Sequence, residues 1–334
     1  MFRATINDKD YIYFSDYSIT LKYDSIASIF SFKAQKDILD YFLEYPDCKI
    51  YKDNELLITG TILSPSITKT SKPQFITVNG YGIGGILEDC NIPTSLYPLQ
   101  FDNLSLAQIS EKILPVFGVN YTFTSNVIED LNKNFTKLSI SPGTPIKQLL
   151  TNLASQRNII TTNSNFGEIV YTRYDKKKFL PVARFVEGEG GLIELALNIN
   201  SQSLHSEITV LKEASKSNPD AGEFTINNPY VDKFRPITHV LDSGDIFDIK
   251  KAARNVLAKE LTAITFTIKT TKFVKPGNTI TLKSPSLKLG KETELFVTET
   301  AITGNNKNND NYILKCVIPE VYSNDEIKNI FTWY

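Results

Sequence analysis

The chain has 334 residues, of which 22% are charged, and its 36 basic and 37 acidic side chains give a formal net charge of -1. A balance this even argues against sequence-specific nucleic-acid binding, and no stretch approaches the roughly 18 uninterrupted apolar residues of a membrane-spanning helix. The length allows two or three domains, and the 16 tyrosines and 20 phenylalanines favour strands over helices.

The cysteines and the amino terminus indicate where the protein folds. Cys48, Cys90 and Cys316 are odd in number and far apart, with no C-x-x-C spacing. This pattern predicts neither a disulfide framework nor a zinc site and indicates a reducing compartment. The first ten residues carry four charges and no apolar segment follows them, so we expect no signal peptide.

The first ninety residues are typical of consecutive short strands. Asp53-Asn54 stands between two β-rich runs and predicts a hairpin turn. Gly60 predicts a bulge or a close approach of two backbones. A short helical stretch is predicted over residues 37–45, and the whole region is predicted to form an antiparallel sheet that closes on itself.

The middle of the chain combines helices with strands. Ser105 and Gln108 have capping-box spacing at the start of a helical stripe, and a strand follows that stripe. About forty residues later Thr144 fits an N-cap and Pro145 fits the first position of a second helix. A further strand and a hairpin through residues 163–173 complete the region. The sequence therefore predicts a small α/β domain of two helix-strand units.

Strands return in the last part of the chain, around one further helix. The predicted strands cover residues 192–200, 206–212, 263–270, 278–284, 294–303 and 312–318. The helix is predicted at about 245–261. Asp242, Asp245 and Asp248 precede it or begin it, and their spacing fits helix capping better than a calcium loop.

Three glycines have the G-x-G-x-x-G spacing of a dinucleotide-binding loop: Gly80, Gly82 and Gly85. Such a loop needs a buried parallel strand before it and a helix of several turns after it. Here the preceding strands form hairpins, and Pro93 follows within two turns. We therefore expect these glycines to let a strand turn sharply into the next domain.

No other motif predicts chemistry. Gly188, Gly190 and Gly191 lack the Lys-Ser/Thr pair of a phosphate-binding loop and predict a flexible link or a turn between domains. The two histidines, His205 and His239, are far apart and lie in no H-E-x-x-H or nucleophile-elbow pattern. The sequence predicts no catalytic residue, no metal ligand and no cofactor, and hence a protein that is not an enzyme.

The order and spacing of the segments, from about Tyr11 to Tyr322, resemble one family more than any single motif does. The segments are YDSIASIFSFKA with KIYKDNELLITGTIL, then ITVNGYGIGGILEDCNIP, then SISPGTPIKQLLTNLASQRNIITTNSNFGEIVYTR, and finally RPITHV, AARNVLAKELTAITFTIKT, KPGNTITLKSP, ELFVTETAI and YILKCVIPEVY. Together they resemble the central baseplate hub proteins of bacteriophage tails, the Mu-like hub and late-control-protein-D family of contractile injection systems. Similarity is least over residues 212–232.

This resemblance implies an α+β, mainly β fold, in which two tail-tube-like β-barrel domains flank a small α/β domain of two helix-strand units. We expect the first barrel at residues 1–92, the α/β domain at 93–180 and the second barrel at 181–334. The second barrel is expected to contain an inserted segment near 212–245 and the helix at about 245–261.

The resemblance also implies a structural role and partners. Three chains with two similar barrels each would form a pseudo-sixfold ring that joins a sixfold tail tube to a threefold spike and leaves a channel for genome or effector. The expected partners are further copies in a homotrimer, the tail tube protein, the spike protein and other baseplate proteins. The expected location is the virion tail, assembled in the host cytoplasm.

The carboxyl-terminal sequence NIFTWY contains three candidate anchors for docking a partner: Phe331, Trp333 and Tyr334. The alternative is that this end packs on its own barrel. Two other functions remain open: an enzyme, either nucleotide-dependent through Gly80–Gly85 or wall-degrading with scattered carboxylates, and a β-rich receptor- or glycan-binding tail protein.

Overall fold

The computed structural model describes residues 2–12, 14–35, 45–68, 75–175, 180–212, 222–241, 249–305, 308–323 and 325–332. The chain divides into two compact units. The first comprises residues 1–172, 271–276 and 299–313, and the second comprises residues 173–270, 277–298 and 314–334. The described residues are mainly β with few helices, which confirms the predicted α+β class.

The amino-terminal part of the first unit is an antiparallel sheet. Its strands are β1 (Phe2–Ile6), β2 (Lys9–Tyr11), β3 (Asp16–Lys22), β4 (Ile29–Gln35), β5 (Asp47–Lys52), β6 (Glu55–Thr68) and β7 (Phe75–Gly82). They lie in the order β3-β4-β7-β6-β5-β1-β2. The predicted turn at Asp53-Asn54 is confirmed, since it joins β5 to β6 with positive φ at both residues. Residues 37–44 of the predicted short helix lie outside the described residues.

Aromatic side chains form the centre of this sheet's core. The ring of Phe2 stacks on that of Tyr17 with centroids 4.2 Å apart, and Phe14 meets Phe2 and Phe32 edge-on at 4.8 and 5.0 Å. All four side chains are buried. Burying one such side chain contributes about 1.5–3 kcal/mol, so this cluster holds the sheet together.

Short helices and strands complete the first unit. They are α1 (Ile86–Asp89), β8 (Leu104–Ser105), α2 (Leu106–Ile113), β9 (Tyr121–Phe123), α3 (Ile128–Asn132), β10 (Asn134–Phe135), α4 (Ile146–Gln156), β11 (Ile160–Asn163) and β12 (Ile169–Thr172). Strand β12 pairs with β11 antiparallel and with β9 parallel. The two predicted helix-strand units, α2-β9 and α4-β11, are thereby confirmed.

The two predicted helix starts differ. At α2 the Ser105 hydroxyl accepts from the Gln108 N–H at 3.3 Å, and the Gln108 side chain accepts from the Ser105 N–H at 2.9 Å, so the capping box is confirmed. At α4 the prediction was wrong by one residue, because Pro145 is the N-cap and has no side-chain cap. The Thr144 hydroxyl instead donates to the Ser141 carbonyl oxygen at 2.8 Å, within the preceding turn.

Asparagine side chains tie the β11-β12 hairpin to the amino-terminal sheet of the same unit. Asn163 Nδ2 donates to the Ser25 carbonyl oxygen at 2.7 Å, and Asn165 Nδ2 donates to the Leu56 carbonyl oxygen at 2.9 Å. The Thr59 hydroxyl donates back to the Asn165 carbonyl oxygen at 2.9 Å. Because these groups are partly buried, losing one partner would leave the other unsatisfied.

The second unit is again mainly strands. Its elements are β13 (Ala183–Val186), β14 (Leu192–Ile199), β15 (Glu207–Lys212), β16 (Gly222–Asn227), β17 (Pro236–Leu241), α5 (Ile249–Leu261), β18 (Ile264–Thr270) and β19 (Thr279–Ser284), followed by β20 (Leu289–Asn305) and β21 (Asn308–Val317), whose residues 299–313 belong to the first unit. The strand order is β14-β18-β21-β20-β19-β13. Within the first unit, β20 extends the amino-terminal sheet by pairing with β3.

A separate three-stranded sheet lies in the second unit, in the order β16-β15-β17. Helix α5 packs on it, and Ile208, Val210, Ala253 and Leu257 are buried. The predicted inserted segment near 212–245 contributes β16 and β17, while residues 213–221 and 242–248 lie outside the described residues. The predicted aspartate caps at Asp242, Asp245 and Asp248 therefore stay predictions.

Closed barrels are not confirmed by the strand pairing. Among the described strands, β2 ends the sheet of the first unit, and β13 and β14 end that of the second unit. No described pairing joins these edges into a closed ring of strands. The two-barrel arrangement therefore stays a prediction.

Candidate interaction surface

The carboxyl-terminal strap, residues 325–332, has no helix or strand and packs on the second unit. Phe331 is half-buried, with its ring centroid 6.1 Å from that of Phe266 and 6.0 Å from that of Tyr230. Trp333 and Tyr334, the other two candidate anchors, lie outside the described residues. The structure thus brings Phe331 against its own chain, and its role in docking a partner stays a prediction.

Hydrogen bonds fix the main chain of the strap along its length. Two side chains of the second unit donate to strap carbonyl oxygens: the Arg254 guanidinium to that of Asp325 at 2.7 Å, and the Tyr230 hydroxyl to that of Lys328 at 2.8 Å. Two strap groups donate in return: Asn329 Nδ2 to the Pro229 carbonyl oxygen at 3.1 Å, and the Thr332 backbone N–H to the Lys288 carbonyl oxygen at 2.9 Å. Because most of these bonds involve strap backbone, the path of the strap depends little on its exposed side chains. The sequence did not predict the residues that hold the strap, Arg254, Tyr230 and Lys288, because they come from distant parts of the chain.

A cavity of about 460 Å³ lies beside Phe331 in the second unit. Its apolar lining includes Ile199, Leu204, Ile264 and Phe331, and its charged lining consists of Asp232, Lys233 and Arg235. Its volume is within the range of small-molecule and side-chain pockets. The arrangement can accept an apolar side chain.

The Gly80–Gly85 segment does not have the geometry of a dinucleotide loop. Gly80 and Gly82 lie inside β7, which pairs antiparallel with β4 and β6, and α1 after the segment has four residues. A Cβ on Gly80 would come within 2.3 Å of the Phe30 ring, and one on Gly85 within 2.5 Å of the Tyr81 ring. These two glycines therefore admit aromatic rings. A Cβ on Gly60 would meet the Tyr81 carbonyl oxygen at 2.1 Å, which confirms the predicted close approach.

The other glycines and the two histidines named in the sequence analysis all lie in the second unit. Gly188 and Gly191, with φ of 86° and 90°, lie in a turn between β13 and β14, which is within the second unit and not between the two units. His205 Nδ1 lies 2.7 Å from Glu260 Oε1, and the backbone N–H of His205 donates to Glu260 Oε2 at 3.0 Å. These contacts link the residue before β15 to the end of α5. His239 lies in β17. Within the described residues no three His, Cys, Asp or Glu side chains group as metal ligands.

The partly buried carboxylate of Asp310, near the start of β21, contacts side chains of β3 and β5 in the first unit. Asp310 accepts hydrogen bonds from the hydroxyls of Tyr17 and Tyr312 and forms an ion pair with Lys52 at the end of β5. Burial alone would raise the pKa of the Asp310 carboxyl, but the hydrogen bonds from Lys52 and Tyr17 and the Lys52 charge outweigh burial and lower that pKa. Burial and Asp310 raise the pKa of Tyr312 to about 12.

No described helix is long and apolar enough to cross a membrane. In sequence comparisons no protein family matches the chain, and no curated protein matches it either.

Solved structures show the fold. The 43 kDa tail protein of prophage MuSo2 from Shewanella oneidensis matches with a TM-score of 0.81 and 17% identity over 96% of this chain and 99% of that chain. A tail protein from Neisseria meningitidis MC58 matches with a TM-score of 0.80 and 18% identity over 96% and 97%. An E. coli type VI secretion component, structurally similar to bacteriophage T4 tail proteins gp27 and gp5, matches with a TM-score of 0.57 and 10% identity over 97% and 79%. The chain therefore has the fold of phage tail proteins, as the sequence resemblance implies.

Proposed function

We propose that the protein is a structural component of a phage tail or a related injection device, and that it acts as the central hub of the baseplate. The observation that carries this proposal is the likeness to the MuSo2 tail protein, which extends over 96% of this chain and 99% of that one. Because the structural match covers almost all of both chains, it supports a common architecture of the whole chain and not only one domain in common.

The finer architecture belongs to the same proposal. Three copies form a ring, and each copy contributes two tube-like barrels that flank the α/β domain, with boundaries near residues 92 and 180. Six similar barrels then face the sixfold tail tube, while the trimer faces the threefold spike, and a channel for genome or effector remains in the centre. Cyclic homo-oligomers of this kind are common among soluble assemblies.

The proposed partners are the tail tube protein, the spike protein and other baseplate proteins, in a virion tail assembled in the host cytoplasm. The likeness to the E. coli type VI secretion component supports a wider class of injection devices. The role is non-enzymatic, and the packing role of Gly80 and Gly85 supports this by removing the motif that most favoured an enzyme.

The oligomeric state tests this proposal. We expect mass photometry of the purified chain, across a concentration series and with and without the spike and tube proteins, to find particles of three times the 37.6 kDa chain mass. Monomers under every condition, with no association with either partner, would contradict it. Turnover of a nucleotide or cell-wall substrate, or binding of glycan by the isolated chain, would favour one of the two other functions.

A further inference from the structure

The carboxyl-terminal strap buries little of its own surface. None of its eight residues is buried: five are exposed, and Ile327, Ile330 and Phe331 are partly buried. The strap also adds no strand to a sheet. Segments with few buried apolar contacts open at a much lower free energy than the whole protein. We therefore expect the strap to detach locally while the sheets beneath it stay folded.

Two cavities lie between the strap and the rest of the second unit. The first has a volume of about 450 Å³, and its lining includes Ile226 of β16, Leu257 of α5 and Ile327 of the strap. The second is the cavity of about 460 Å³ beside Phe331. Apolar side chains that border such space lack partner atoms on one side. The strap thus covers the lining of the two cavities incompletely, and we call that lining, without the strap residues, the strap groove.

Alternate residues of the strap border this space. Ile327 lines the first cavity, and Asn329 and Phe331 line the second. In an extended chain, alternate side chains point to the same side. One side of the strap therefore supplies the side chains that reach toward the strap groove, and a larger side chain in place of Ile327 or Phe331 would fill more of it.

The hydrogen bonds that hold the strap go mainly to its main chain. The Arg254 guanidinium and the Tyr230 hydroxyl donate to strap carbonyl oxygens, and the Lys288 carbonyl oxygen accepts from the backbone N–H of Thr332. Main-chain hydrogen bonds of this kind provide affinity for an extended peptide of many sequences, while pockets for its side chains provide specificity. Another extended segment could therefore make the same bonds.

The charges of the strap groove favour an acidic occupant. Three basic side chains and one acidic side chain belong to it: Arg254, Lys233, Arg235 and Asp232. The strap itself begins with Asp325 and Glu326, which line the first cavity together with Arg254. A segment with acidic residues at this end would complement the groove in charge.

We propose that the strap groove is a docking site for an extended acidic segment of a partner protein, which displaces the strap and places a large apolar side chain in each cavity. The positions of Ile327 and Phe331 set the two apolar residues four positions apart, roughly 13 Å along an extended chain. A partner displaces the strap only if it binds the groove better than the strap does, and filling the two cavities supplies that difference. The inference goes beyond the proposed hub function and requires no trimer.

A disulfide between the strap and the second unit provides two matched states of one protein. A Cβ on Gly290 would lie 3.4 Å from Thr332 Oγ1 and 4.0 Å from Thr332 Cγ2, which is close to the separation of two side chains joined by a disulfide. The variant Gly290→Cys/Thr332→Cys should hold the strap in place when oxidised and let it detach when reduced. Mass spectrometry of the oxidised protein checks that this bond and no other has formed.

The probe is a fluorescent peptide with the sequence of residues 325–332, in which Ile327→Phe and Phe331→Trp enlarge the two apolar side chains. We expect fluorescence anisotropy to show that it binds the reduced variant at least about tenfold more tightly than the oxidised one, because the locked strap occupies the groove. The matched control peptide carries Ile327→Ala and Phe331→Ala. It should bind the reduced variant at least about tenfold more weakly than the probe, since it buries much less apolar surface.

Hydrogen exchange of the unmodified chain shows whether the strap itself moves, and it does not depend on the folding of the cysteine variant. The Thr332 N–H donates to the Lys288 carbonyl oxygen at 2.9 Å, so its exchange rate reports detachment of the strap. The probe peptide should speed the exchange of this amide. The amides of β18, which lies between β14 and β21 in its sheet, should keep their exchange rates.

Several results would overturn the inference. Equal binding to the reduced and oxidised variants, or binding without a change at the Thr332 amide, would mean that the peptide binds elsewhere. Equal affinity of the two peptides, or no binding of either, would refute the role of the cavities. Dimers of the reduced variant that disappear on oxidation would show that the groove takes the strap of a second copy instead. None of these results bears on the hub proposal, which fails separately if the chain stays monomeric alone and with its partners.

Discussion

The ring of Phe331 lies against the ring of Phe266, with centroids 6.1 Å apart. Phe266 is fully buried in β18, and Phe331 belongs to the strap, so this pair fastens the end of the described chain to the sheet of the second unit. Phe331, which the sequence analysis names as a candidate anchor for a partner, therefore packs on its own chain.

Removing the Phe331 ring should therefore destabilise the isolated protein. Phe331→Ala is expected to lower the free energy of unfolding by about 1–3 kcal/mol, less than the 3–5 kcal/mol typical of a fully buried phenylalanine. Urea denaturation followed by circular dichroism measures the change. Phe166→Ala is the control, because that ring is 71% exposed and should change stability by less than about 0.5 kcal/mol. Equal effects of the two substitutions would contradict the packing role of Phe331.

The two helix starts make a second prediction. Ser105→Ala removes a hydroxyl that caps α2 and should cost about 1 kcal/mol in unfolding free energy. Thr144→Ala removes a hydroxyl that the structure places outside α4, where Pro145 is the N-cap, and should cost clearly less. Thermal denaturation of the two variants side by side compares them. If Thr144→Ala lost more stability than Ser105→Ala, that result would support Thr144 as the N-cap of α4, as predicted from the sequence.

Local features of the fold could be predicted from the sequence, since local chemistry determines them. The capping box at Ser105 and the turn at Asp53-Asn54 depend on neighbours within a few residues, and the apolar stripes of α2 and α4 each lie within one short stretch of the chain. Thr144 was misassigned because two adjacent residues both fit a helix start, and only the conformation of the preceding turn decides between them.

Features that join distant segments could not be predicted in the same way. Asp310 contacts Tyr17 and Lys52, which lie more than 250 residues earlier in the chain. The position of β14 at the edge of its sheet could not be predicted either, because an edge strand and a central strand can have the same sequence pattern. The strap's position depends on Arg254, Tyr230 and Lys288, and nothing near residue 331 indicates them.

The Asp310 carboxylate should make part of the stability depend on pH. Its pKa in the folded protein lies below its ordinary value, which is near 4 in unfolded chains. Its contribution is therefore fully present above about pH 5 and is lost as the pH falls through the folded pKa. Asp310→Asn should remove this component of acid destabilisation, which unfolding free energies measured from pH 7 down to pH 3 would reveal.

The control for this experiment is Asp8→Asn, a change in an exposed turn between β1 and β2 where asparagine tolerates the positive φ of 62°. It should leave the shape of the pH dependence as in the unmodified protein. If Asp310→Asn and the unmodified protein lose stability in parallel on acidification, the Asp310 network does not contribute in the way described.

The glycines of the former nucleotide motif give a fourth prediction. Gly80→Ala would bring a Cβ to 2.3 Å from the Phe30 ring and 2.4 Å from the Thr61 carbonyl oxygen, so it should destabilise the protein by about 2 kcal/mol or more. Gly190→Ala has no atom within 4 Å of the added Cβ and is the matched control. Thermal denaturation compares the two. A Gly80→Ala protein of normal stability that had lost nucleotide binding would favour the enzyme instead.

Electron microscopy of the purified protein, with class averages examined for symmetry, tests the hub proposal most directly. The proposal predicts rings with threefold symmetry, a central channel and a pseudo-sixfold face, either for the chain alone or after addition of the spike protein. Compact single chains, or closed dimers without a channel, under both conditions would contradict it.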